Sequence, residues 1–180
     1  MVGNKLLNDS VDDLASGVDV NELRPSGWTR LTKAAVEGNT EAAKLLLSNG
    51  ARVDAAQKDG KTSLHLAAQE GSLAMARLLL RNKANLNAAQ MDGCTPLYIA
   101  AQKGQLDVAR LLLGSKADVD AGKGGGTPLW NACAKGHPGV AHLLISAKAD
   151  VNAVCEGFTP LQMTEHTTIA DLLRKHGGHE

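Results

Sequence analysis

Three cysteines and two nearby histidines are the side chains of this sequence that most invite a metal-binding hypothesis. Zinc sites are commonly built from cysteines and histidines that come in closely spaced pairs. The three cysteines form no CxxC pair, and their odd number argues against a disulfide framework. We therefore expect no bound metal, with a metal- or redox-responsive cysteine module as an alternative. The residues concerned are Cys94, Cys133, Cys155, His137 and His142.

Motifs for catalysis are missing as well. The sequence contains no Walker A loop, no GxSxG nucleophile elbow and no HExxH string. We expect the protein not to be an enzyme and to carry no cofactor.

Four aromatic side chains suit a different chemistry, the anchoring of a partner protein. Large, stiff aromatic residues are favoured anchors at protein interfaces. Aromatic residues make up only 2% of the chain, so the interior has to be built from Leu, Ala, Val and Ile. A contact surface for a partner and packing within the fold are the two interpretations. The four residues are Trp28, Tyr98, Trp130 and Phe158.

The charge balance bears on the class of partner. The chain has 19 Lys and Arg against 19 Asp and Glu, a formal net charge of +0. Nucleic-acid binders usually carry a clear basic excess, because neutralised phosphates drive their affinity. No run approaches the roughly 18 apolar residues that a membrane span needs, and the polar, acidic start of the chain is unlike a secretory signal. We expect no nucleic-acid or membrane partner and a cytoplasmic location, with the nucleus or a host-cell cytosol as alternatives.

A repeat of 32 to 33 residues organises the sequence. The threonines of a Gly-x-Thr-x-Leu pattern recur in steps of 33, 33, 32 and 32 at Thr29, Thr62, Thr95, Thr127 and Thr159. A second glycine recurs in the same phase, at Gly38, Gly71, Gly104 and Gly136. A leucine pair does so too, beginning at Leu45, Leu78, Leu111, Leu143 and Leu172. Such a fixed period is typical of repeat architectures.

Each repeat predicts two short helices. Thr95 can cap the first helix with its hydroxyl. Pro96 suits the first helical position, where the missing N–H costs no hydrogen bond within the helix. Gly104 is expected to end this helix in a left-handed conformation, and Val108 begins the buried stripe of the second helix. Isolated helices need about 12–15 residues to be stable. Stacking on neighbouring copies therefore has to supply the burial that these helices lack.

A row of lysines follows the second helices. Lys83, Lys116 and Lys148 stand where the first repeat has Gly50. If this position requires a positive φ, each lysine costs up to roughly 1 kcal/mol relative to glycine.

These features resemble the ankyrin-repeat family. Residues 62–68, Thr-Ser-Leu-His-Leu-Ala-Ala, nearly reproduce the T-P-L-H-x-A string of that family, and the period agrees. The likeness covers about residues 26 to 180. It implies an all-α fold, an ankyrin-repeat solenoid of stacked antiparallel helix pairs with projecting hairpin loops. It also implies that His65 is a hydrogen-bonded core residue, while the repeat position of Cys133 favours a small buried side chain.

The domain organisation follows from the repeat boundaries. Residues 1–25 are expected to form an N-terminal capping helix, at residues 5–16, and a half repeat. The last repeat has a shortened turn between its helices, with 8 residues from Leu161 to Ile169 against 11 from Leu97 to Val108. The predicted units are ankyrin repeats 1 to 4, at residues 26–58, 59–91, 92–123 and 124–155, and a C-terminal capping repeat at residues 156–180.

The resemblance also indicates a binding surface. In proteins that resemble this one, hairpin tips and outward residues of the first helices form a concave face that binds a partner protein. This implies a monomeric adaptor or scaffold. Packing between repeats is the alternative role for Tyr98 and Trp130, which occupy the position of the family's histidine. The predicted partner-binding residues are Trp28, Lys33, Lys61, Met91, Tyr98, Lys103, Trp130, Asn131, Lys135 and Phe158.

Lysines make this predicted surface lean basic. This favours a partner with an acidic patch, and lysines that are merely solvated are the alternative. A self-stacking structural array is a further alternative function, which the polar termini oppose.

Overall fold

The computed structural model describes residues 19–24, 26–122, 124 and 126–180. The predicted capping helix at residues 5–16 lies outside the described residues. The chain divides into two compact units, Met1–Asn85 and Leu86–Glu180.

The first unit contains two pairs of short helices. Its helices are α1 (Arg30–Val36), α2 (Thr40–Ser48), α3 (Ser63–Glu70) and α4 (Leu73–Arg81). Within each pair the two helices pack together, and the second pair stacks on the first through α1 with α3 and α2 with α4. The neighbouring pair therefore supplies the burial that no single helix provides.

The second unit continues the pattern with three pairs. Its helices are α5 (Pro96–Gln102), α6 (Leu106–Gly114), α7 (Pro128–Ala134), α8 (Pro138–Ser146), α9 (Pro160–Met163) and α10 (Thr167–Lys175). The first helices stack in the order α5, α7, α9, and the second helices in the order α6, α8, α10. The fold of the described residues is all-α, with an isolated bridge between Cys155 and Phe158. The spacing in the last repeat predicted a shortened turn between its helices, which is wrong, because three residues separate α9 from α10 just as three separate α5 from α6. The helix α9 itself is shorter, with four residues against seven in α5.

Threonine caps start the first helices. Thr95 Oγ1 accepts a hydrogen bond from the amide of Tyr98 at 3.2 Å, and Pro96 occupies the first turn. This confirms the predicted cap. In α3 the Thr62 amide donates instead to Nδ1 of His65 at 3.2 Å, and Thr62 Oγ1 lies 2.9 Å from the same nitrogen. His65 is fully buried, which confirms its predicted role as a hydrogen-bonded core residue.

Left-handed residues end the helices. Gly104 has φ +68°, as predicted. The lysine row also adopts positive φ, with values of 64°, 70° and 70° at Lys83, Lys116 and Lys148, against 87° at Gly50. The position of these lysines therefore requires a positive φ, and each lysine is strained by up to roughly 1 kcal/mol relative to glycine.

Small residues line the contacts between helices. Ala34, Ala35 and Ala67 are fully buried in the first unit, as are Ala100 and Ala132 in the second. Because alanine lets backbones approach closely, few aromatic residues are needed to fill such an interior. Loops precede the first helices of the stacked pairs, and four of the ten predicted binding residues lie on them: Trp28, Lys61, Met91 and Phe158.

Candidate partner-binding surfaces

A five-residue loop precedes the first helix of the first unit. The Arg24 amide donates to the carbonyl oxygen of Trp28 at 2.9 Å, and the Gly27 amide donates to the carbonyl of Arg24 at 2.7 Å. Gly27 has φ +81°, a value that favours glycine. The bond from Arg24 to Trp28 makes these two residues the closing pair of the loop. Side chains of directly opposed residues in such a pair project to the same face.

The side chain of Trp28 lines a pocket of about 360 Å³. The other described lining residues are Arg24, Ser26 and Lys33. Lys33 comes from α1, so the loop and the helix both contribute to the pocket. The structure thus brings two predicted binding residues, Trp28 and Lys33, to one place. Sequence reasoning missed Arg24. The signal that could have found it is the repeat register, since Arg24 precedes Trp28 by four residues, just as Gln57 precedes Lys61.

Further charges lie beside this pocket. Lys33 Nζ is 3.8 Å from the carboxylate of Glu37. The aliphatic part of Lys58 covers Gly27, since a methyl group added at Gly27 would lie 3.7 Å from its Cγ and Cδ. Lys61 pairs with Asp59 at 3.4 Å. Burial pushes the pKa of Asp59 upward, but hydrogen bonds and the charge of Lys61 outweigh it and leave that pKa below its usual value.

In the second unit Tyr98 is buried, with 7% of its surface exposed. A methyl group added at Gly122 would lie 3.0 Å from Tyr98 Cδ2, so the ring packs directly against the following loop. Thr95 Oγ1 fastens the same loop by donating to the carbonyl of Ala121 at 3.1 Å. Burial, followed by nearby negative groups, raises the pKa of Tyr98 to about 12. Tyr98 therefore occupies the packing role that was the alternative to binding.

Trp130 and Phe158 meet at the last loop of the second unit. Trp130 is half-buried, and its indole Nε1 donates to the carbonyl oxygen of Phe158 at 3.0 Å. The ring of Phe158 is 50% exposed. Cys155 and Phe158 exchange backbone hydrogen bonds of 3.1 and 2.9 Å and close a four-residue turn. The predicted aromatic surface is thus present at this loop, with the polar atom of Trp130 satisfied internally.

Three more of the predicted residues are exposed in the second unit. Met91 lies at the tip of the loop that Gln90 and Cys94 close, and 82% of its surface is exposed. Lys103 and Lys135 are exposed at the ends of α5 and α7. Val154, which precedes the last turn, is exposed as well.

A family comparison accounts for this architecture. A family model described as ankyrin repeats (3 copies) matches residues 2–90, 56–123 and 82–155. Together these matches span most of the chain. The chain belongs to the ankyrin-repeat family. A search of curated proteins finds no match.

Members of this family are generally protein–protein interaction modules and are typically non-catalytic. In the described part of this ankyrin-repeat chain, no helix is long and apolar enough to span a lipid bilayer.

The structure places Asn131 in the interior of its ankyrin repeat, with only 2% of its surface exposed. Its side-chain nitrogen is buried and has no hydrogen-bond partner among the described residues. Asn131 lies four residues after the capping threonine, as do the buried residues Leu66 and Ile99. Lys33 has the same position in its repeat and is partly exposed, so the register alone does not determine burial. Because its side chain is buried, Asn131 is not part of the accessible surface proposed below.

The three cysteines are buried, and no disulfide joins them. Burial raises the pKa of Cys133 to about 12, and burial together with Glu156 raises that of Cys155. A thiol with a raised pKa stays protonated and is a poor nucleophile and metal ligand. Among the described residues, no group of three His, Cys, Asp or Glu side chains is placed to hold a metal ion. Cys133 has the small, buried position that its place in the ankyrin repeat predicted.

Proposed function

We propose that this chain is an adaptor or scaffold that binds one partner protein through the loops between its repeats and the adjoining ends of its first helices. The observation that carries the proposal is the placement of large side chains on these loops. Phe158 and Met91 are strongly exposed there, and Trp28 lines a pocket. Isolated exposed apolar residues are common on any protein, but aromatic anchors on loops of a rigid scaffold favour binding.

The accessible surface that we propose has two parts. The first-unit surface consists of Arg24, Trp28, Lys33, Lys58 and Lys61. The second-unit surface consists of Met91, Lys103, Trp130, Lys135 and Phe158. Tyr98 supports the second-unit surface, because its ring packs against the loop at Gly122.

We further propose that the protein acts as a monomer in the cytoplasm. Three buried cysteines that form no disulfide suit a reducing compartment. The net charge of +0 favours a protein partner over nucleic acid.

Partner capture tests the proposal. The intact chain serves as bait in cell extract, and specifically retained proteins are identified by mass spectrometry. The double variant Trp28→Ala/Phe158→Ala should lose the partner while keeping the far-ultraviolet circular dichroism of the intact chain. Leu45→Ala is the matched control, because Leu45 is an exposed apolar residue on α2, away from the loops. If the double variant retains the partner as well as Leu45→Ala does, the loops are not the binding surface.

A further inference from the structure

The pocket beside Trp28 combines an aromatic wall with two cationic side chains. Arg24 and Trp28 are the closing pair of their loop, and Lys33 reaches the same pocket from α1. Ser26 is the remaining described lining residue, so the described lining contains no acidic side chain. A ligand seated here would meet positive charge on two sides and an indole on another.

This combination is specific to the first loop. The corresponding closing pairs are Gln57 with Lys61 and Gln90 with Cys94 in the later five-residue loops. In the last loop the closing pair is Cys155 with Phe158. None of these three pairs joins a guanidinium to an aromatic ring. The chemistry around Trp28 is therefore a property of this loop and not of the repeat itself.

We propose that this pocket receives an acidic side chain of the partner protein, presented next to an apolar residue in an extended segment. The inference rests on the proposed function, because it names the chemistry of one contact within that interface. A guanidinium binds a carboxylate through paired hydrogen bonds, and the ammonium of Lys33 adds a second donor. The apolar neighbour packs on the indole of Trp28.

The size of the pocket agrees with such an occupant. A volume of about 360 Å³ lies near the lower end of the range for small-molecule sites, which is roughly 300–1,000 Å³. It accommodates one or two side chains rather than a large ligand. Glu37, which lies 3.8 Å from Lys33, forms a partly exposed ion pair with it, with side chains 24% and 31% exposed. Ion pairs in contact with solvent are weak, so this one can open for an incoming carboxylate.

Lys58 strengthens the positive character of this site. Its methylene groups lie over Gly27, directly before Trp28, and place an exposed ammonium group at the loop. A single-stranded nucleic acid would also suit cations beside an indole. The balanced charge of the whole chain favours the acidic peptide, since an extended phosphate backbone needs a longer basic track.

Peptide selection on the intact chain tests the assignment. A library of random 12-residue peptides displayed on phage is selected on the full chain at physiological salt. We expect enrichment of Asp or Glu next to an apolar residue. The selected peptides are then synthesised, and their affinities are measured for the intact chain and for two charge-matched variants.

The variant Arg24→Gln/Lys33→Gln removes both cations from the pocket and should weaken binding at least 10-fold. The variant Lys44→Gln/Arg81→Gln removes the same charge from exposed residues of α2 and α4 and should change affinity less than twofold. Circular dichroism and thermal unfolding establish that both variants are folded. Trp28→Phe should retain more of the affinity than Trp28→Ala, because an aromatic wall persists.

Three results would overturn the assignment. The selected peptides could lack acidic enrichment, they could bind Arg24→Gln/Lys33→Gln as tightly as the intact chain, or a 12-nucleotide single-stranded DNA could bind the pocket more tightly than they do. If the intact chain still captures a partner that depends on Trp28 and Phe158, the proposed function stands and only the pocket chemistry fails. If it captures neither a partner nor any peptide, both proposals fail.

Discussion

The first loop of the first unit and the last loop of the second unit carry an aromatic residue at the same repeat position, but in different chemical settings. Trp28 closes a five-residue loop with Arg24 and shares its pocket with Lys33. Phe158 closes a four-residue turn with Cys155, is 50% exposed, and accepts a hydrogen bond from the Trp130 indole at its carbonyl oxygen. The helix pairs below both loops are capped by threonine in the same way. Loop chemistry thus varies independently of the scaffold that carries it, as expected where each repeat contacts only its neighbours.

The same contrast extends to the position of the family's histidine. In the first unit, His65 is fully buried and completes a capping box with Thr62. In the second unit, Trp130 is partly exposed and bonds to the next loop instead. One position therefore serves the interior of a repeat in one unit and the support of a binding loop in the other.

We expect the largest loss of stability from replacing His65, the buried residue of this pair. His65→Ala leaves a cavity and a buried threonine amide without its acceptor, so it should lower the free energy of unfolding by about 3 kcal/mol. Trp130→Ala removes a partly exposed side chain and should cost about half as much. Chemical denaturation of the two variants measures the difference. Equal losses would contradict the distinct roles assigned to these two residues.

The buried amide of Asn131 gives the next effect. Asn131→Ile places at this position the residue that the preceding repeat has at Ile99, and it removes a buried nitrogen without a partner. The free energy of unfolding should rise by about 1–2 kcal/mol. Partner capture should be unchanged, because the side chain is not accessible. A destabilised variant would mean that the amide has an important bonding role in the native protein.

The last turn provides a smaller effect. Glu156 and Gly157 both have positive φ, 54° and 86°, as in a type I′ turn. Asparagine adopts this conformation more easily than glutamate, so Glu156→Asn should stabilise the protein by about 0.5–1 kcal/mol. Thermal unfolding checks this, with Glu165→Asn as the control for loss of an exposed carboxylate. Equal shifts in the two variants would assign the effect to charge rather than to backbone strain.

The smallest effect concerns pH. Burial, followed by the charges of Asp150 and Asp118, raises the pKa of Asp120 against the hydrogen bond from the Asp150 amide. A carboxyl with a raised pKa in the folded state favours folding in its protonated form, so its ionisation lowers stability as pH rises through and above 3.8.

Asp120→Asn should therefore stabilise the chain at neutral pH by a few tenths of a kcal/mol, as expected for partly exposed like charges. The advantage should shrink as pH falls toward 4. Asparagine at the corresponding position of the preceding repeat, Asn87, already accepts the equivalent amide hydrogen bond from Asp118 at 3.0 Å. Unfolding curves at pH 7 and pH 4 make the comparison. If the stability gained by Asp120→Asn were larger at pH 4 than at pH 7, the pKa of Asp120 would be shifted in the opposite direction.

Local features of the fold were predictable from the sequence. The cap at Thr95, the first-turn position of Pro96 and the left-handed Gly104 depend on only a few neighbouring residues, so residue type and spacing determine them. The shortened interval of the last repeat was visible in the sequence, but its assignment to the turn was wrong, because the helix α9 is the part that is shorter. The burial of Asn131 was not anticipated, because the same repeat position carries the partly exposed Lys33 as well as the buried Leu66 and Ile99.

The surfaces were only partly predictable. Trp28 and Phe158 could be assigned to loops from the repeat register alone. The repeat register places Arg24 opposite Trp28, but the side chains that share the pocket with Trp28 depend on the folded loop and on α1. The balance between binding and packing for Tyr98 depends on how closely Gly122 approaches the ring. Such distances are set by the stacking of whole helix pairs, so residue type and spacing within one repeat do not predict them.

The most direct test of the account is the affinity of the purified partner for the intact chain, Trp28→Ala, Phe158→Ala and the double variant, measured at increasing salt. The account predicts that each single variant weakens binding and that the double variant loses it. It also predicts that Trp28→Ala, which disrupts the cationic pocket, reduces the salt dependence more than Phe158→Ala does. A double variant that binds the partner with the affinity of the intact chain would contradict the claim that the repeat loops form the interface.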